Sequence, residues 1–173
     1  MLDEKTRIET FKKFFELEAD MSVDWFQEAY EIEHAERKDK KQDFTPRSIG
    51  KLLNEIAQKE STHSYYEVAA GNGGILVQAW NKHRINANFW SYKPMEYWYQ
   101  VEELSDRSLP FLIFNMSIRG MNGVILHGDS LTREFQDVYF IRNMSSQYGP
   151  FSEVIVMPKT KTLMQEYDIR KWV

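Results

Sequence analysis

Ser64-Tyr65-Tyr66-Glu67-Val68-Ala69-Ala70 runs into Gly71-Asn72-Gly73-Gly74, and Ile75-Leu76-Val77-Gln78-Ala79-Trp80 follows without a break. The first seven residues read as a short buried strand, and the last six open a helix that continues to about Arg84. Between them, three of the chain's eight glycines fall within four positions. Such a concentration marks backbone that bends sharply or lets something approach closely. Strand, glycine turn and helix in succession form the unit from which α/β sheets are assembled.

The pattern continues downstream. Tyr97–Glu103 reads as a second strand, and Asp106 opens a helix whose apolar face is Leu109, Leu112, Ile113 and Met116. Pro110 is tolerated in the first turn of that helix, and Gly120 stands where a C-terminal cap belongs. Val124-Ile125-Leu126-His127 is a third strand and Gly128-Asp129-Ser130 a turn. Strands over 137–142 and 152–157, joined by the loop 143–150, suit antiparallel neighbours. A short helix and tail end the sequence. The spacing therefore predicts an α/β domain with helices on both faces of the sheet, and in such sheets ligands bind beyond the carboxyl ends of the strands.

Upstream, Ile8, Phe11, Phe14, Phe15 and Leu17, then Trp25, Phe26, Ala29, Tyr30 and Ile32, recur at helical spacing. Residues 3–35 read as two amphipathic helices, with Ser22 able to cap the second. The charge run over 36–41 reads as a solvated linker, or else as a phosphate contact. Thr45 and Pro46 suit the start of a helix over 46–59. The expected division is a helical extension over 1–41 and an α/β domain over 42–173.

Composition narrows the function. The 173 residues contain no cysteine, which excludes disulfides, thiolate metal sites and Cys nucleophiles. Twenty-two basic and 26 acidic side chains leave a net charge of −4, so binding of nucleic acid would rest on a local patch. No apolar run approaches the roughly 20 residues of a membrane helix, and the N-terminus is unlike a signal peptide. A soluble, cytoplasmic protein is expected. His34, His63, His83 and His127 show no metal-binding spacing.

Three polar features fall at strand ends. The turn Gly71–Gly74 leads into a helix and offers backbone N–H groups and a positive dipole end. Glu103 closes the second strand, where a carboxylate accepts from both hydroxyls of a ribose. Asp129 follows the third strand, where a carboxylate accepts from an exocyclic amine. Together they outline a pocket for an adenosine-shaped ligand.

These residues resemble the N6-adenine DNA methyltransferases, and most closely the modification subunits of type I restriction systems. Phe44-Thr45-Pro46 is similar to the family's F-T-P element. Glu67-Val68-Ala69-Ala70-Gly71-Asn72-Gly73-Gly74 is similar to D-P-A-C-G-S-G-G, with Glu for Asp and Asn for Ser. Tyr99 to Asn115 resembles G-Q-E-I-N-P and its following helix. Asn115 to Met121 resembles N-L-A-I-R-G-I, and His127 to Leu131 matches H-G-D-S-L. The likeness spans roughly 42–131. It implies a Rossmann-like fold and S-adenosyl-L-methionine as cofactor. Phe44, Thr45 and Pro46 would border its methionine end. Glu67, Ala69, Gly71, Asn72, Gly73 and Gly74 would approach its amino-acid moiety. Glu103 would hold the ribose, and Asp129 with Ser130 the adenine amine. Methylation of adenine N6 in DNA is the implied reaction.

One family element is missing. N-P-P-[YF], which holds the target amine and stacks on the flipped base, has no counterpart. The nearest stretches are Ile141-Arg142-Asn143-Met144 and Val156-Met157-Pro158-Lys159. Asn143, with Tyr148 or Phe151 as the stacking ring, is the candidate catalytic group. An incomplete sheet is expected, and with it an inactive relative acting by interaction, a regulator or decoy of a restriction–modification machine, as the alternative. An open sheet edge favours a homodimer or a partner subunit, and the aromatic stretch Phe89–Tyr99 either offers a contact surface or completes the core.

Overall fold

The computed structural model describes residues 3–18, 20–27, 48–49, 52, 63–87, 91–145 and 151–173. Helix α1, Glu4–Leu17, begins where the Asp3 carboxylate accepts from the backbone N–H and hydroxyl of Thr6. Strand β1 is Ser64–Glu67 and helix α2 is Gly74–Asn86. β1 is three residues shorter than the sequence suggests. Ala69, at φ 56°, has already left the extended region, so 68–70 belong to the turn. Leu76, Val77, Trp80 and His83 are the buried stripe of α2.

Strand β2 is Trp98–Glu103, helix α3 Leu109–Ile118 and strand β3 Gly123–Asp129. α3 ends as the sequence predicts. Gly120 takes φ 65°, its N–H reaches the Ser117 carbonyl, and the Met121 N–H reaches that of Met116. Strand β4, Glu134–Arg142, returns from β3 through a tight turn. Strand β5, Glu153–Val156, helix α4, Lys161–Glu166, and strand β6, Lys171–Trp172, complete the chain.

The sheet has the order β1-β2-β3-β4-β5. β1, β2 and β3 are parallel, β3 and β4 antiparallel, and β4 and β5 antiparallel. β6 was not apparent in the sequence. It pairs parallel with Glu134 and Phe135, beyond β5 on the same edge of β4. The sheet is therefore mixed and open.

The two faces are covered unequally. Phe11 of α1, Leu76, Val77 and Trp80 of α2, and Leu112 and Met116 of α3 share one core with Tyr99, Val101, Ile125 and Ile141 of the sheet. The region expected to be a separate extension thus contributes a side chain to the main core. On the other face, Val124, Leu126, Phe135 and Val138 are covered by Ile169, Met164 and Tyr167 from the C-terminal segment. Of the predicted helix over 46–59 only Ser48, Ile49 and Leu52 are described, and these three are helical; most of the second N-terminal helix and the charge run over 36–41 lie outside the described residues.

Candidate nucleoside-binding site

The turn between β1 and α2 contains three left-handed residues, Ala69, Gly71 at φ 58° and Gly73 at φ 88°. Gly73 is required twice over. Its φ disfavours a side chain, and an added Cβ would lie 2.9 Å from Leu112 Cδ1. The turn is fastened to the next strand by its backbone, since the Ala70 N–H donates to the Glu102 carbonyl.

Glu103 meets the turn from the end of β2. Its Oε2 accepts from the Gly71 N–H at 2.6 Å and its Oε1 from the Ser105 N–H at 2.7 Å. The carboxylate is buried and holds the turn in place. Each oxygen still has a free lone pair for a further donor. Sequence spacing placed Glu103 at this strand end but gave no sign of its grip on Gly71.

Asn72 is the unusual member. It is 2% exposed, yet among the described residues neither its side-chain nitrogen nor its oxygen has a partner. Buried amides without partners are rare, and each calls for an explanation. Beside it, the 13-residue helix α2 begins at Gly73 with no side-chain cap hydrogen bond among the described residues.

Glu67 stands at the end of β1 and accepts from the Tyr65 hydroxyl at 2.9 Å. Burial pushes its carboxyl up to about 7, and the nearby Glu103 carboxylate adds to the rise against the opposing hydrogen bond from Tyr65. A cation placed here would be welcome.

Asp129 lies one strand further on. A register shift between His127 and Gly128 bulges the end of β3. Gly128 is needed at this bulge, because a Cβ would come within 2.3 Å of the Glu134 carbonyl oxygen. The Asp129 carboxylate turns back on its own hairpin, accepting from the N–H groups of Leu131 at 2.8 Å and Thr132 at 3.3 Å. The Leu131 N–H holds its pKa below the usual carboxylate value. Ser130 is half-buried in the same turn. The other Asp129 carboxylate oxygen, Oδ2, receives neither of these backbone bonds.

Asn143 is not brought to these groups. It follows β4, and its Nδ2 donates to the Gly120 carbonyl while its N–H donates to Asn122 Oδ1. Both partners precede β3, so Asn143 lies at the opposite end of the sheet, about 20 Å of strand away at 3.3 Å per residue. Phe151 packs edge-on against Phe11 at 5.0 Å in the core. Neither faces the turn. Phe44, Thr45, Pro46 and Tyr148 lie outside the described residues.

Three participants, Asp24, Asn115 and Arg119, are given no site role in the sequence reading. Asn115 of α3 donates from Nδ2 to the Asn72 carbonyl at 2.7 Å and to Asp24 Oδ1 at 2.9 Å. Arg119 donates to Asn115 Oδ1 at 2.7 Å and stacks on the Trp25 ring at 4.3 Å. The available signal was an amide and a guanidinium four apart on an otherwise apolar helix, which places both on one face.

Compared with known families, residues 21–158 match the model described as N-6 DNA Methylase. The chain belongs to the N-6 DNA methylase family. The match reaches beyond the motifs over 42–131 on both sides, taking in Asp24 upstream and the hairpin of β4 and β5 downstream. No curated protein matches the chain. Among the described residues, no cluster of His, Asp and Glu could hold a metal ion, and no helix is long and apolar enough to cross a membrane.

Proposed function

We propose that this N-6 DNA methylase family chain binds S-adenosyl-L-methionine at the carboxyl ends of β1, β2 and β3, in a Rossmann-like methyltransferase arrangement. One observation carries the reading. The buried amide of Asn72, without a partner among the described residues, sits at a helix N-terminus that lacks a side-chain cap there, beside Glu103. A ligand with carboxylate and hydroxyl groups would satisfy the amide, the helix end and the spare lone pairs of Glu103 together.

Residue by residue, Asn72 and the Gly71–Gly74 backbone would hold the amino-acid carboxylate. Glu67 would face the ammonium group, and Ala69 would border it. Glu103 would accept from the ribose hydroxyls. Asp129, with Ser130, would accept from the adenine amine through a carboxylate lone pair. When bound, the cofactor supplies an electrophilic methyl group, and methylation of adenine N6 in DNA is the reaction class this reading implies.

A second reading has its own support. Asn143 is committed to the far end of the sheet, and no described residue replaces the missing base-holding motif. This favours a member that binds cofactor and acts on DNA, or on a restriction–modification machine, only through a second copy or a partner subunit.

Calorimetric titration with S-adenosylmethionine and its demethylated product tests the first reading. Binding by the wild type and its loss in Glu103→Ala, with Glu103→Gln intermediate, is the expected result. No heat and no thermal shift in the wild type would refute it. Transfer of labelled methyl groups to adenine-containing DNA then separates the enzyme from the interaction protein.

A further inference from the structure

The segment 20–27 lies across α3 and reaches the cofactor turn through one side chain. Asn115 is the junction. Its Nδ2 carries two hydrogens, one donated to the Asn72 carbonyl at 2.7 Å and the other to Asp24 Oδ1 at 2.9 Å. Its Oδ1 accepts from Arg119 Nη1 at 2.7 Å. The amide cannot flip, because a flip would set its oxygen against two acceptors and its nitrogen against a guanidinium.

Arg119 also anchors the segment from below. Its Nε donates to the Met21 carbonyl at 2.9 Å, its Nη2 donates to the Val23 carbonyl, and its guanidinium stacks on Trp25. Asp24 is 4% exposed and also accepts from the Phe26 N–H at 3.1 Å. A cation and an anion thus flank Asn115 and polarise it in one direction, toward Asp24 and the turn.

We infer that residues 20–27 are a strap that sets the conformation of the turn Gly71–Gly74, with Asp24 as a positioning residue acting through Asn115 on the Asn72 carbonyl. Strap docking and occupancy of the turn are then coupled, and the coupling is reciprocal. A nucleoside at the turn tightens the strap, and loosening the strap weakens the nucleoside. The ligand half of this inference rests on the cofactor reading, whereas the link between strap and turn stands on the hydrogen bonds alone.

The test combines amide hydrogen exchange with titration of S-adenosylhomocysteine on the full chain. Asp24→Ala leaves Asn115 bonded to Asn72 and Arg119, so the fold survives. Its turn amides over 72–74 are expected to exchange tenfold faster or more without ligand, and the nucleoside Kd to rise by a similar factor. Asp24→Asn, which keeps the acceptor, is expected to restore both to within about threefold. In the wild type, the nucleoside slows exchange over 20–27. Unchanged exchange at 72–74, or an unchanged Kd, in Asp24→Ala overturns the inference. If the wild type takes up no nucleoside while Asp24→Ala still speeds exchange at 72–74, the strap stands and the cofactor reading falls.

Discussion

Glu67 makes the stability of this protein depend on pH in the direction opposite to most carboxylates. Its carboxyl rises from 4.5 to about 7 on folding. Between those values the folded chain binds the extra proton, so stability falls as pH rises through the window and the loss is complete above about 7. At roughly 1.36 kcal/mol per pH unit, the shift is worth about 3 kcal/mol. In a chain of this length that corresponds to a fall of about 5–10 °C in Tm. Glu67→Gln keeps an acceptor for the Tyr65 hydroxyl and removes the charge. Urea unfolding from about pH 5 to about pH 8.5 should give wild type and variant similar stability at the acid end and a more stable variant at the alkaline end. Equal slopes for the two proteins would refute the assignment. The same group predicts the pH dependence of binding. An ammonium beside Glu67 favours its ionised form, so affinity for the sulfonium nucleoside rises through about pH 7, and Glu67→Gln flattens that rise.

Other consequences follow from single contacts. Glu102 is fully buried and paired with Arg133 Nη1 at 2.7 Å, so Arg133→Leu strands a carboxylate and should cost about 3–5 kcal/mol. The double variant Glu102→Leu/Arg133→Leu should recover most of that in urea unfolding. Gly123→Ala would place a Cβ 1.9 Å from the Tyr99 carbonyl oxygen, so separating β2 from β3 should cost about 3 kcal/mol or more. Asn143→Ala, made at a buried amide that ties Gly120 and Ser145, should lower Tm by an amount corresponding to about 1–3 kcal/mol and leave the cofactor Kd unchanged by calorimetry.

The elements that position the site were legible because each has a local cause. The glycine turn, the αL residue at Gly120 and the apolar stripe of α2 are written into short stretches of sequence. The pair Glu102-Glu103 shows where legibility stops. Period-two alternation sends the two carboxylates to opposite faces of β2. Nothing in the sequence says that one faces Gly71 and the other a guanidinium 31 residues away. Asp129 was placed at the correct strand end, but the bulge at Gly128 lets its carboxylate cap its own hairpin. β6 is two residues long, too short for periodicity to register, and it depends wholly on the pairing offered by β4.

The order of the strands bears on catalysis. α2 and α3 each carry the chain one strand further in the same direction, giving parallel β1, β2 and β3 in sequence order. A crevice at a point of reversed order would need a parallel strand on the far side of β1. After Asp129 the chain instead returns antiparallel beside β3. Among the described residues, β1 pairs only with β2. The His63 carbonyl accepts from Trp98 in β2, and alternate residues of a parallel strand bond to the same neighbour. The backbone groups of Ser64 and Tyr66 therefore point away from β2, to a side where no described strand pairs with β1 and where Tyr66 is 57% exposed and Val68 48%. On the proposed cofactor reading, the strand ends would supply one wall for a methyl donor, and a target base would have to be held from across it to meet the methyl carbon in line. A second copy or a partner subunit adding a strand to β1 would supply that wall. Methyl transfer to adenine-containing DNA is accordingly expected from an assembly and absent from a dilute monomer. Specific activity should climb with protein concentration, alongside the assembled fraction seen by sedimentation. Transfer at constant specific activity down to concentrations where only monomer sediments would refute this, and would mean that the chain closes its own site.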